Sequence, residues 1–204
     1  LDRLTQRLHR PLTLVSAPAG YGKSVLVSHW VHSLSSPVAW LSLDEGESSL
    51  HKFLAYILAS LDSVSPGLCS ELSEYLITPD LPPVTQIAQR LINDIDEFGD
   101  DLFIVLDDYH VIDHASEVHE LLIQVLKYSP TNLHLIVATR RDPPLAMAKL
   151  RANGQLIDLR QTDLRFVASE TAEMLSLALG GEVADDAVEQ VCQSVEGWGA
   201  GIRL

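Results

Sequence analysis

The stretch Leu102-Phe103-Ile104-Val105-Leu106 is apolar at every position and stops abruptly at Asp107 and Asp108. A strand with one wet face alternates polar and apolar residues, whereas an unbroken apolar run is buried on both faces, as inside a parallel sheet covered by helices. Parallel neighbours need a crossover between them, usually a helix. The rest of the sequence supplies both parts. Runs at Leu12 to Val15, Val38 to Leu43, Leu133 to Thr139 and within Gln155 to Arg160 read as further strands. Between them, Val25, Leu26, Trp30 and Leu34 are expected to share one face of a helix that follows the first strand. Phe53, Leu54, Ile57, Leu58 and Leu61 define a helix from Leu50 to about Val64, with Ser48 or Ser49 as its cap. Val84, Ile87, Leu91, Ile92, Ile95 and Phe98 form a stripe ended by Gly99. Shorter helices are expected over Leu68 to Leu76, Ala115 to Lys127 and Leu145 to Ala152. The alternation gives an α/β class, a parallel sheet flanked by helices.

After Phe166 the pattern becomes helical, with segments at Ser169 to Leu179, Asp185 to Val195 and from Gly197 onward. The expected division is a core over residues 1–166 and the start of a small helical subdomain over 167–204. The chain opens on Leu1 and stops at Leu204 within a helical pattern, as an excised fragment would.

Fourteen Lys and Arg against 28 Asp and Glu give a formal charge of -14, the wrong sign for collecting phosphates by an overall field. Phosphate chemistry here requires a local device. The two cysteines, Cys69 and Cys192, fit neither a disulfide framework nor a zinc site, which points to a reducing cytosol. No stretch approaches the roughly 18 apolar residues of a membrane helix, so no membrane association is expected.

The local device lies at Ala17-Pro18-Ala19-Gly20-Tyr21-Gly22-Lys23-Ser24, directly after the first strand. It matches the phosphate-binding loop G-x-x-x-x-G-K-[ST], with Ala17 in place of the first glycine. The chemistry needs backbone N–H groups aimed inward at a helix start, a lysine that reaches the β and γ phosphates, and a hydroxyl for Mg2+. Ala19 to Val25 are therefore the candidate nucleotide-binding residues: Ala19, Gly20, Tyr21, Gly22, Lys23, Ser24 and Val25, with Ser24 also a metal ligand. A Cβ at Ala17 is the departure that puts the entry angle of the loop in question. The second device is Asp107-Asp108, a carboxylate pair delivered by a buried strand: Asp107 to hold Mg2+, Asp108 to orient or deprotonate an attacking water. The third is Arg140, at the end of the strand through Thr139, as a sensor of the γ phosphate. His110 and His114 have the spacing of zinc ligands on a helix, with His119, Asp113 and Glu117 nearby, but there is no HExxH motif and a solvated helix face is the plainer expectation. Trp30, Trp40 and Trp198 read as packing residues rather than a platform for bases.

Taken in order, SAPAGYGKS (16–24), FIVLDDYH (103–110), LIVATRRDPPL (135–145), LRANGQL (150–156), DLRF (163–166) and EGWGAGIRL (196–204) make the chain resemble the nucleotide-binding domain of MalT-like regulators. These are LuxR-family transcription activators within the STAND class of P-loop ATPases. The resemblance covers nearly the entire chain, and alanine at position 17 is common in that family's loop. It implies a P-loop NTPase sheet of order 5-1-4-3-2, ATP or ADP with Mg2+ as cofactors, and the loop, acidic-pair and sensor roles on Lys23, Ser24, Asp107, Asp108 and Arg140. It also implies self-association of the full-length protein in the ATP state, and DNA binding only through a C-terminal helix-turn-helix outside this sequence.

From the residues, two other classes stay open. A P-loop small-molecule kinase would use the same cradle to pass a phosphoryl group to an acceptor. A degenerate scaffold would have lost nucleotide binding through distortion at Ala17.

Overall fold

The computed structural model describes residues 10–78, 80–181 and 183–195. Five parallel strands, β1 (Leu12–Ser16), β2 (Val38–Ser42), β3 (Leu102–Asp107), β4 (Leu133–Thr139) and β5 (Leu156–Arg160), form one sheet in the order β2-β3-β4-β1-β5. Read from its other edge, this is the order 5-1-4-3-2 expected above. The fold is that of a P-loop NTPase.

The central strands earn their positions by burial. Every residue of β1, β3 and β4 is buried, as the unbroken apolar runs require. Successive side chains go to opposite faces. Leu102, Ile104 and Leu106 join a large core with α2 (Leu50–Val64), α4 (Val84–Phe98) and α5 (Ser116–Lys127). Phe103 and Val105 face the other way, toward Val27, Trp30 and Val31 of α1 (Lys23–His32). Two short helices complete the alternation, α3 (Ser70–Tyr75) before α4 and α6 (Met147–Ala152) before β5. Ser49 is the cap of α2, its hydroxyl accepting from the Lys52 amide at 3.4 Å.

Two local expectations are corrected. Val25 does not lie on the packed face of α1: it is 73% exposed, and the buried set is Val27, Trp30 and Val31. The segment VLVSHWVHSL carries apolar residues on nearly every side of a helix, so its periodicity does not single out one face. Helix α6 starts at Met147, because Ala146 takes a left-handed conformation (φ 54°) that a helix cannot continue. The stripe of α4 faces the core as expected, Ile87, Leu91 and Ile95 buried and Val84, Ile92 and Phe98 half-buried against the same cluster.

Helices α7 (Ala168–Leu179) and α8 (Asp185–Val195) follow the sheet and pack on each other, with Gly180 (φ 73°) ending the first. The expected helix from Gly197, together with Trp198, lies outside the described residues. No helix among the described residues is long and apolar enough to cross a membrane.

Phe103 shows how tightly the α1 face is packed. Its ring meets Trp30 edge-on at 6.1 Å between centroids and stacks on His134 at 4.6 Å. Phe103→Ala is expected to cost about 3–5 kcal/mol, since the rigid sheet cannot collapse into the gap. Urea denaturation of the variant checks this, with Phe103→Leu losing distinctly less.

Candidate functional site at the carboxyl edge of the sheet

Parallel pairing aligns Ser16 with Thr139 and Ser42 with Asp107, so the ends of β1, β4, β3 and β2 form one rim. Ligands of open α/β sheets bind at this rim, and the residues singled out from the sequence all leave strands there.

The loop after β1 is built from two glycine torsions. Gly20 (φ 82°) and Gly22 (φ 71°) are left-handed, which turns successive amides toward one side before α1 begins at Lys23. At Gly22 a Cβ would meet nothing within 4 Å, so torsion rather than space demands glycine. Ala17 distorts nothing. It is buried, its amide donates to the Thr139 carbonyl at 3.2 Å, and it is not among the positive-φ residues, so the first glycine of the motif is dispensable in this loop. Ala19 and Gly20 are exposed, as are Ser24 and Val25 at the first turn of α1. Tyr21 is half-buried, and its hydroxyl accepts from Gln161 Nε2 at 2.6 Å.

Lys23 is 7% exposed, and its ammonium donates to the Pro18 carbonyl at 3.1 Å. Burial pulls its pKa below the ordinary value; Asp108 opposes that, Arg140 reinforces it and Asp107 opposes it. The structure thus gathers Lys23, Asp107, Asp108 and Arg140 into one electrostatic neighbourhood, although they come from three different loops.

Asp107 closes β3, 6% exposed, with Oδ1 accepting from the Asp108 amide at 3.0 Å. Asp108 is left-handed (φ 54°, ψ 34°), a conformation that aspartate tolerates better than most residues, and its side chain is half-exposed. The turn behind it is anchored from below: buried Tyr109 shares a 2.7 Å hydrogen bond with His119 Nδ1, and His119 Nε2 is 3.0 Å from the Asp113 carbonyl oxygen.

That anchoring settles the histidines. His110 sits on a 3-10 turn (Tyr109–Ile112) and His114 follows it, so the two do not share a helix face. His119 is not on a solvated face but buried, with both ring nitrogens engaged. No group of three or more His, Cys, Asp or Glu among the described residues is arranged to hold a metal.

His110, weighed from the sequence only as a zinc ligand, instead stands beside the acidic pair. Its Nδ1 is buried without a hydrogen-bond partner, 3.9 Å from Asp108 Oδ1. Burial lowers its pKa, with Arg140 and Lys23 adding to the effect and Asp108 and Asp113 opposing it. The only signal was its place in LDDYH, three residues after Asp107. Because the folded protein resists protonating it, the unfolded chain takes up the proton first, and stability falls as pH drops below about 6.5. His110→Gln is expected to flatten that part of the stability profile in urea titrations between about pH 7 and pH 5.

On the third strand end, Thr139 is fully buried and its hydroxyl donates to the Arg141 carbonyl at 2.9 Å, closing a tight turn that leaves Arg140 exposed. Arg141 pairs with Asp113. Arg151, unassigned from sequence, is held by Asp142 at 3.1 Å and Asp158 at 2.8 Å.

Residues 2–140 match the family described as Nephrocystin 3, N-terminal. The chain belongs to that family. Along its whole length this family member is also 31% identical to the HTH-type transcriptional regulator MalT of Serratia proteamaculans, of which it spans 22%. It is 31% identical over 207 aligned residues to MalT of Yersinia enterocolitica, of which it spans 23%. The chain is therefore homologous to one region of MalT and spans about a fifth of the length of these relatives. In fold it is similar to a Signal Transduction ATPase with Numerous Domains (STAND) protein with a tetratricopeptide repeat sensor from Pyrococcus horikoshii, with a TM-score of 0.65 and 14% identity over 97% of this chain and 28% of that one. It is also similar to the Drosophila ORC bound to DNA, with a TM-score of 0.53 and 16% identity over 96% of this chain and 47% of that one.

The donor set suits the groups implied by the motif. Asp107 and Ser24 offer the hard oxygen ligands that Mg2+ prefers, and two left-handed glycines before a ten-residue helix offer the amides that a polyphosphate needs.

Proposed function

We propose that this chain is the ATP-binding, slowly hydrolysing switch module of a MalT-like, LuxR-family transcription activator. One observation carries the reading: Lys23, Asp107, Asp108 and Arg140, scattered in sequence, share one electrostatic neighbourhood beside a glycine-formed cradle. Ala19 to Val25 contact the nucleotide, the amides of Gly20 to Ser24 and the Lys23 ammonium gripping the phosphates. Ser24 and Asp107 hold Mg2+, which when bound neutralises charge on the β and γ phosphate oxygens. Asp108 orients the attacking water and takes its proton, and Arg140 reads the γ phosphate.

Residues 1–166 act as the ATPase core and residues from 167 onward as the start of a helical subdomain that passes the nucleotide state to the rest of the protein. A switch requires two states that bind the nucleotide unequally. The full-length protein is a cytoplasmic regulator that self-associates with ATP bound and meets DNA through a helix-turn-helix outside this sequence. The homology to MalT supports this switch over a small-molecule kinase, and the undistorted turn at Ala17 supports a working loop over a degenerate scaffold.

Calorimetric titration with Mg·ADP and Mg·ATP tests the reading. Detectable binding of both with slow phosphate release is expected; absence of binding, also for a chain extended at both ends, contradicts it.

A further inference from the structure

Arg160, the last residue of β5, and Gln161, which follows it, reach back to different loops of the rim. Arg160 pairs with Asp142, two residues beyond Arg140 in the loop after β4, and with Asp158 on its own strand. Gln161 donates from Nε2 to the Tyr21 hydroxyl at 2.6 Å, in a half-buried contact between the phosphate loop and a strand end 140 residues away in sequence. The turn at this strand end is itself held, because the Arg160 amide donates to Asp163 Oδ2 at 2.9 Å.

Tyr21 stands between the two left-handed glycines. Glycine torsions set the direction of the loop amides but do not restrain it, since each glycine leaves its own backbone free. A side chain held at its far end supplies the restraint that the glycines lack. The neighbouring Arg160–Asp142 pair is exposed and weak, whereas the Gln161 bond is neutral, short and partly shielded from water.

We propose that Gln161 is a positioning residue of the nucleotide site: by holding the Tyr21 hydroxyl it fixes the phosphate loop in its binding shape. The inference rests on the reading of that loop as a nucleotide site. Loss of the bond lets the loop sample shapes whose amides no longer converge, so affinity falls while the fold persists.

The test uses the 204-residue chain with Mg·ADP as the probe. Gln161→Leu and Tyr21→Phe each remove one partner of the same bond, and each is expected to raise Kd roughly threefold to tenfold. Because the two changes break a single interaction, the double variant should bind no worse than the weaker single variant. Gln161→Glu, whose carboxylate accepts from the tyrosine hydroxyl, should restore most of the affinity. A purely structural role would lower the urea midpoint without non-additive affinity or rescue. Unchanged affinities, or losses that simply add, overturn the inference while leaving the nucleotide site standing. Failure of the unsubstituted chain to bind Mg·ADP removes the site and this inference together.

Discussion

Lys23→Met is expected to abolish measurable binding of Mg·ATP and Mg·ADP and, at the same time, to raise the melting temperature of the ligand-free protein. The two effects have one cause. The ammonium is buried to 7% exposure at the start of α1, with a carbonyl contact at 3.1 Å and the guanidinium of Arg140 disfavouring its charge. Its pKa in the folded state is lowered from the ordinary 10.5, so the charged form costs stability. That cost is fully present below the folded pKa and disappears as pH rises past 10.5, where the unfolded chain also loses its proton. Methionine keeps the shape of the stem and removes the charge, and the carbonyl that loses its donor belongs to Pro18, an exposed residue. A gain in melting temperature is expected near neutral pH and should fade in strong alkali. A phosphate ligand reverses the balance, since its negative charge compensates the ammonium that the empty fold resists. Calorimetry for binding and differential scanning for melting check the pair; a variant that binds normally, or that melts lower, contradicts the account.

Asp108→Asn is expected to keep nucleotide binding and to lower the hydrolysis rate by about two to four orders of magnitude, the share of a positioned general base. The choice of asparagine follows from the backbone. Position 108 is left-handed at φ 54°, a conformation that asparagine adopts more readily than most residues, so Asn removes the base with the least disturbance to the turn behind β3. Single-turnover release of phosphate is the measurement. Retained hydrolysis would move the base elsewhere, and His110, whose neutral ring faces Asp108, would be the next residue to replace.

The sheet was legible because its signal is redundant. Three runs buried on both faces, Leu12–Ser16, Leu102–Asp107 and Leu133–Thr139, admit only central positions in a parallel sheet. The strand order came from the family resemblance, since nothing in the apolar runs themselves says which strands adjoin. Helix α4 was legible because its polar and apolar residues segregate, whereas α1 was not: with valines and a tryptophan on several sides, only its packing against Phe103 of β3 decides what is buried. Lys23, Asp107 and Asp108 were found because motif chemistry fixes both residue type and spacing. His110 was weighed only as a zinc ligand, because its place beside Asp108 with an unpartnered ring nitrogen is a property of three-dimensional packing. Gln161 and Arg160 lie far in sequence from the phosphate loop, and only the pairing of β5 beside β1 brings them to it.

The most direct measurement is an amide NMR titration of this chain with Mg·ADP. The account predicts that the largest shifts fall on the backbone amides of Gly20, Tyr21, Gly22, Lys23 and Ser24, with smaller ones at Asp107 and Asp108 across the rim. Shifts that spare this loop, whether absent or centred on another part of the fold, would contradict it.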